Sequence, residues 1–231
     1  MREEHTMNAE KIIALIPANN ESDHIQTVVA ATRQYLPVLV VDDGSRDATA
    51  QLAESAGARI VRHPTNLGKG AALITGFKES LRDGCTAVIT LDADGQHDPA
   101  EIPLFLEYYS SHPVGLVIGQ RDYSKMPFPR NISNTIGRWM FSSAVRQDIP
   151  DNQSGYRMIS RPLMELMIGS NETGFELEVA MIALCLKHRL GLGWVPIQTI
   201  YRDQKSHIRP LHHIIHYFRV VAQARRIMNE H

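Results

Sequence analysis

Over the first 120 residues, short apolar runs alternate with stretches whose apolar positions recur at helical spacing. KIIALIP (11–17) is a continuous apolar run closed by Pro17, which predicts a short buried strand. Strand-like runs recur as VLVVDD (38–43), RIVRH (59–63), AVITLD (87–92) and VGLVIGQR (114–121). Between them, residues 24–35, 47–57, 68–81 and 98–112 have helical periodicity, and Gly57 stands past the end of the second. Strands alternating with helices of this length predict an α/β fold, a mostly parallel sheet flanked by helices in a single domain. In such sheets ligands bind at the carboxyl ends of the strands. Asp42, Asp43, Asp92, Asp94 and Arg121 all fall there.

After residue 120 the rhythm changes. QRDYSKMPFPRN is rich in proline and basic residues and reads as a loop. Helical patterns follow at 132–145, 161–168 and 175–188, a turn and strand at 151–160, and a late strand at 193–202. From Leu211 onward, Leu211, Ile214, Ile215, Phe218, Val221 and Ala222 recur at helical spacing. The organisation expected is a tail (1–10), one domain (11–210) with halves at 11–120 and 121–210, and an amphipathic helix (211–231).

Charge narrows the function classes. Lys and Arg number 24 against 25 Asp and Glu, a net charge of −1, which argues against a nucleic-acid binder. The two cysteines, Cys85 and Cys185, form no metal or redox spacing and fit a reducing cytoplasm. The charged N-terminus has no apolar signal core, and no run reaches the roughly 18 apolar residues of a membrane span. The final helix carries His212, His213, His216, Arg219 and Arg226 on its polar side, which suits an anionic membrane surface. The expectation is a cytoplasmic protein with peripheral contact at the inner face of the membrane, or with a membrane-protein partner.

Three stretches carry chemistry. VVDDGSRDAT delivers two acids into a Gly-Ser turn, where Asp can cap a helix or accept from a ligand's hydroxyls and N–H groups. NLGKGAALITGF is neither a Walker loop nor a dinucleotide fingerprint, but its glycines allow close approach of an anion to a helix start, and Lys69 adds charge. LDADGQH ends an apolar strand in Asp92 and Asp94, whose side chains face the same way. Paired carboxylates repel unless a cation joins them. Hard ions such as Mg²⁺ take oxygen ligands and keep positions open for phosphates. Gln96 offers another oxygen.

These stretches fall into a longer ordered series: IPANNE, VDDGSRDAT, NLGKGAALITGF, LDADGQHDP, IGQRDY, DNQSGYRMIS and YRDQKSHIRP. The series resembles family 2 glycosyltransferases of the GT-A fold, most closely the dolichol-phosphate or polyprenyl-phosphate mannose and glucose synthase branch. The resemblance implies that Pro17, Glu21, Asp42 and Asp43 hold the nucleoside of a nucleotide-sugar and that Lys69 lies along it. It implies Mg²⁺ or Mn²⁺ on Asp92, Asp94 and Gln96, bridging the diphosphate. It implies phosphate contacts from Arg121, Arg130, Ser133, Arg157, Arg202 and Ser206, with Asp151 near the sugar. Two departures stand out. GQRDY replaces the usual Gly-Ser-Arg-Tyr, and His207 follows Ser206 where the family has lysine.

The implied reaction displaces the diphosphate of a UDP- or GDP-hexose at its anomeric carbon, with inversion. A polyprenyl phosphate acceptor is already largely anionic at neutral pH. A sugar or small-molecule hydroxyl needs a positioned carboxylate, to be drawn from Asp151, Glu176 or Glu178. The basic run Arg121, Lys125, Arg130 and Arg138 favours the phosphate, with Asp151 as the base if one is needed. A nucleotidyltransferase and a non-catalytic nucleotide-sugar-binding protein are the rival readings.

Overall fold

The structure is a computed structural model that describes residues 11–122, 139–169, 176–198 and 221–229. Arg130, Ser133, Arg202 and Ser206, with Lys125, Arg138 and His207, lie outside the described residues.

The strands expected from the apolar runs form at β1 (Ile12–Ala18), β2 (Val38–Asp42), β3 (Arg59–Arg62), β4 (Ala87–Thr90) and β5 (Leu116–Arg121). The intervening helices are α1 (Ile25–Thr32), α2 (Thr49–Ser55), α3 (Lys69–Arg82) and α4 (Ile102–Ser111), the last entered through one 3₁₀ turn at Pro99–Glu101. A helix at 139–145 (α5) follows, then β6 (Arg157–Ser160), α6 (Arg161–Ile168), α7 (Glu176–Lys187), β7 (Leu192–Ile197) and a helix at 221–229 (α8).

The seven strands make one sheet in the order β3-β2-β1-β4-β6-β5-β7. Every pair is parallel except those of β6, which runs antiparallel between β4 and β5. The central strands β2, β1, β4 and β6 are buried on both faces, which explains the continuous apolar runs. Leu73, Phe77, Met164, Ile182 and Ala224 pack on one side, from α3, α6, α7 and α8; Val29, Ala53, Ile102 and Phe105 pack on the other, from α1, α2 and α4. Val221 and Ile227 of α8 are buried in the same core, so this part of the final helix faces protein.

Pro17 does not stop β1; it lies in register with Val41. Ala14 N–H and the Ala18 carbonyl bond on the β2 side, while the Leu15 carbonyl bonds to Leu91 on the β4 side. Odd positions therefore face β4, whose ladder with β1 ends at Leu15. The N–H that proline lacks falls where no partner strand remains, so it costs nothing.

Candidate active site

The loops that leave β1, β2 and β3 enclose an open cleft of about 620 Å³. Its walls are held by hydrogen bonds that side chains make to backbone and to each other. Asn20 N–H donates to Ser45 Oγ at 2.9 Å, and Arg46 N–H to Asn20 Oδ1 at 2.9 Å. Asn66 Nδ2 donates to Asn19 Oδ1 at 2.9 Å. Gly44 (φ 70) lets the β2 loop touch the β3 loop: a Cβ there would meet the Thr65 carbonyl carbon at 2.4 Å, so only glycine fits.

Asp42 and Asp43, expected at a nucleoside, are bonded to the loops that enclose the cleft. Asp42 is fully buried, accepts from Ser45 N–H, and pairs with Arg62 Nε at 2.9 Å. Asp43 accepts from His63 Nδ1 at 2.7 Å, Leu67 N–H at 2.9 Å and Gly68 N–H at 2.8 Å. A ligand donor therefore competes with three internal ones. Pro17 is buried in the sheet, and the groups lining the cleft include Asn19, Asn20, Arg62 and Asn66.

Beside the cleft, the end of β4 opens into Asp92 and Asp94. The positive partner that two adjacent acids require is Lys69, the first residue of α3. Its Nζ lies 2.7 Å from Asp92 Oδ1 and 2.8 Å from Oε1 of Glu178 on α7. Lys69 was expected along a nucleotide; here it bridges two carboxylates 86 residues apart in sequence, because α3 and α7 pack on the same face. Burial pushes the Asp92 carboxyl up, but the Lys69 ammonium more than offsets this and holds it at about 2. The same two carboxylates outweigh burial at Lys69 and raise its ammonium well above the usual lysine value.

The Asp92 loop is gripped from below. Asp92 N–H donates to His97 Nδ1 at 3.1 Å, and His97 stacks on Tyr156, which stacks on Phe105, with ring centroids 5.0 and 4.5 Å apart. His97, left without a role by its sequence context, is thus a support of the acidic loop, and burial pushes its imidazole below the ordinary value. Gln96 N–H donates to Asp94 Oδ1 at 2.9 Å, curling the loop around Asp94. Burial, reinforced by Asp94, raises the Glu21 carboxyl, which brings that residue into the same acidic neighbourhood. Among the described residues, no group of three or more His, Cys, Asp or Glu side chains stands pre-assembled for a metal. Asp92 and Asp94 nonetheless present hard carboxylate oxygens at a partly exposed strand end, the donor chemistry that Mg²⁺ and Mn²⁺ take.

Arg121 ends β5 and meets Asp151 through two parallel bonds, Nε to Oδ2 at 2.7 Å and Nη2 to Oδ1 at 2.9 Å. Asp151 also accepts from the backbone N–H groups of Gln153 and Ser154 and is fully buried. Asp151, the carboxylate expected as a base, thus holds the Arg121 guanidinium in a fixed orientation. Arg157, expected at a phosphate, lies within the protein's own backbone. It is 1% exposed and donates to the backbone carbonyls of Ser154, Asn152 and Glu178. These bonds tie the 152–154 turn to the start of α7.

Comparison with known proteins agrees with this geometry. Residues 13–166 match the sequence profile of glycosyl transferase family 2. A UDP-N-acetylglucosamine–dolichyl-phosphate N-acetylglucosaminyltransferase of Methanococcus voltae is 28% identical, over 84% of this chain and 88% of its own. A polyprenol monophosphomannose synthase of Mycolicibacterium smegmatis is also 28% identical, over 84% and 79%. Among solved structures, glucosyl-3-phosphoglycerate synthase from Mycobacterium tuberculosis, in complex with Mn²⁺, UDP and phosphoglyceric acid, superposes with a TM-score of 0.74 over 96% of this chain and 79% of that one, at 20% identity. The chain belongs to glycosyl transferase family 2 and is a glycosyltransferase of the GT-A fold.

Proposed function

We propose that the protein transfers a hexose from a nucleoside-diphosphate sugar to a polyprenyl phosphate. The observation that carries this reading is the convergence, at the carboxyl ends of β1, β2 and β4, of an open cleft with the Asp92–Asp94 carboxylates beside it. The cleft suits a nucleoside, with Asn19, Asn20, Arg62 and Asn66 supplying donors and acceptors to a base and ribose. Asp92 and Asp94, with the Gln96 side chain, would hold Mg²⁺ or Mn²⁺, which when bound neutralises charge on the leaving diphosphate.

The chain's own groups do the rest. Arg121, kept in orientation by Asp151, presents a guanidinium whose charge is felt at Asp92, and it would meet a phosphate there. The commitment of Asp151 argues for an acceptor that arrives deprotonated, as a phosphate monoester does. The relatives that act on dolichyl or polyprenol phosphates support the same acceptor class. Direct displacement by that phosphate inverts the anomeric centre. No described helix is long and apolar enough to cross a membrane. One observation fits work at a lipid surface. Trp139, 72% exposed, stands on α5 just after the basic stretch that includes Arg130 and Arg138. We infer a peripheral seat at the inner face of the membrane, a reading that the exposed Trp139 supports.

Purified protein, a panel of UDP- and GDP-hexoses, and undecaprenyl or dolichyl phosphate test this directly. Transfer of label to the lipid is expected; transfer only to a sugar or small-molecule hydroxyl, or none, would sink the reading. In thermal melts, the matching nucleotide at a hundredfold excess over its Kd is expected to stabilise the fold by about 2.7 kcal/mol. The non-matching nucleotide should leave the melting temperature unchanged.

Gly155 offers a second check. A Cβ there would stand 2.9 Å from Asp92 Oδ2 and 3.1 Å from Lys69 Nζ. Those are ends of flexible side chains, so Gly155→Ala is expected to fold but to move the Asp92 carboxylate. We expect kcat/KM to fall roughly ten- to a hundredfold, since small misplacements at a reacting centre cost that much. Wild-type turnover in this variant would show that the position of Asp92 is not critical.

A further inference from the structure

We propose that Lys69 makes binding of the divalent ion conditional on the donor's diphosphate: without it, the ammonium covers the Asp92 oxygen that the ion needs. The inference rests on the reading above, in which Asp92 and Asp94 hold that ion.

The geometry supports it from three sides. The Lys69 ammonium is 2.7 Å from Asp92 Oδ1, while a Mg²⁺ ion sits roughly 2.0–2.1 Å from a carboxylate oxygen. An ion on that oxygen would therefore lie against another cation. The carboxylate has little room to turn away, because the Gly155 backbone closes one flank and His97 holds the Asp92 backbone beneath it. Lys69, in contrast, has a second anchor already in place. Glu178 Oε1 is 2.8 Å from Nζ, and Glu178 is itself 7% exposed, with its carbonyl held by Arg157. Lys69 can lean toward Glu178 and give up Asp92 without losing every partner. An arriving diphosphate supplies oxygens that both cations share. Ion and nucleotide then favour each other's binding, and the ion enters with the donor rather than ahead of it.

The test is Mn²⁺ binding to the full-length protein, followed by electron paramagnetic resonance, alone and with saturating UDP or GDP. For the wild type, Mn²⁺ is expected to bind at least about tenfold tighter with the matching nucleotide, and by reciprocity the nucleotide binds that much tighter with Mn²⁺. Lys69→Met should bind Mn²⁺ alone about tenfold tighter than the wild type and lose most of that coupling. Glu178→Gln leaves Lys69 to Asp92 alone, so it should bind Mn²⁺ alone more weakly. A merely structural ion pair predicts the same sign for both variants, namely weaker binding as the site loosens. That pattern overturns the proposal, as does a wild type that binds Mn²⁺ equally well with and without nucleotide. Absence of Mn²⁺ binding in the wild type even with UDP and GDP would instead remove the metal reading itself, and this inference with it.

Discussion

Asp94→Asn is expected to lower turnover by roughly a hundred- to a thousandfold, the usual loss when one group that stabilises developing charge is removed. Three features make this substitution the sharpest one. Asp94 Oδ1 accepts only a short local bond from Gln96 N–H, which an asparagine oxygen can also accept. Asp94 is not part of the Lys69–Asp92–Glu178 bridge, so the ion pairs of the site persist. It is also partly exposed, so little packing is lost. The melting temperature should therefore stay within about 2 °C of the wild type, the range of substitutions that remove no buried contact. Nucleotide binding without metal should persist, while the effect of Mn²⁺ on it disappears. A variant with near-normal turnover would mean that the acidic pair plays no part in the chemistry. A variant that unfolds would mean that Asp94 is structural.

Arg157→Met is expected to do the reverse, costing stability first. The guanidinium is the largest fully buried side chain, and it closes the 151–156 turn onto the start of α7 through the carbonyls of Asn152, Ser154 and Glu178. Methionine has similar length but no donors, so those carbonyls lose their partner in a place water cannot reach. Leaving a buried carbonyl without its donor costs about 1–3 kcal/mol, so losing this set is expected to cost about 3–5 kcal/mol. For a chain of this size that lowers the melting temperature by roughly 10 °C. Calorimetry against Arg161→Met, which removes a partly exposed helical pair with Glu165, gives the control, expected to lose less than about 1 kcal/mol. A change for Arg157→Met no larger than that control would show that the guanidinium is not what ties the turn to α7. Activity should fall as well, since the turn carries Asp151, which orients Arg121, and Gly155, which lies under Asp92.

The strands and helices of the first half were legible because each buries an unbroken apolar run or a stripe, and burial is written into periodicity. The position of Pro17 was not. Whether a proline ends a strand depends on which neighbour its missing N–H would face, a matter of sheet order. The antiparallel setting of β6 was hidden for the same reason: MIS pairs equally well in either direction until its neighbours are known. The acidic pair at the carboxyl end of β4 was legible from its residue types, whereas the supports of that loop were not. His97 needs Tyr156, about sixty residues on, to stack against. Glu178 reads as an ordinary acid at a helix start until α7 is laid beside α3.

The amino-acid sequence by itself determined which groups this protein owns and which element carries each: an apolar framework, and acids and glycines at the carboxyl ends of strands. Those follow from local rules, in which a residue's neighbours in the chain set its conformation and its face. Only the tertiary structure decided how the charges are shared. Asp92 is matched to Lys69, Lys69 to Glu178, Arg121 to Asp151, and Arg157 to three backbone carbonyls. These pairings act over a few ångströms between residues 21 to 109 positions apart, or across a single turn. Electrostatic partners are chosen by distance in space and by burial, neither of which a one-dimensional pattern records.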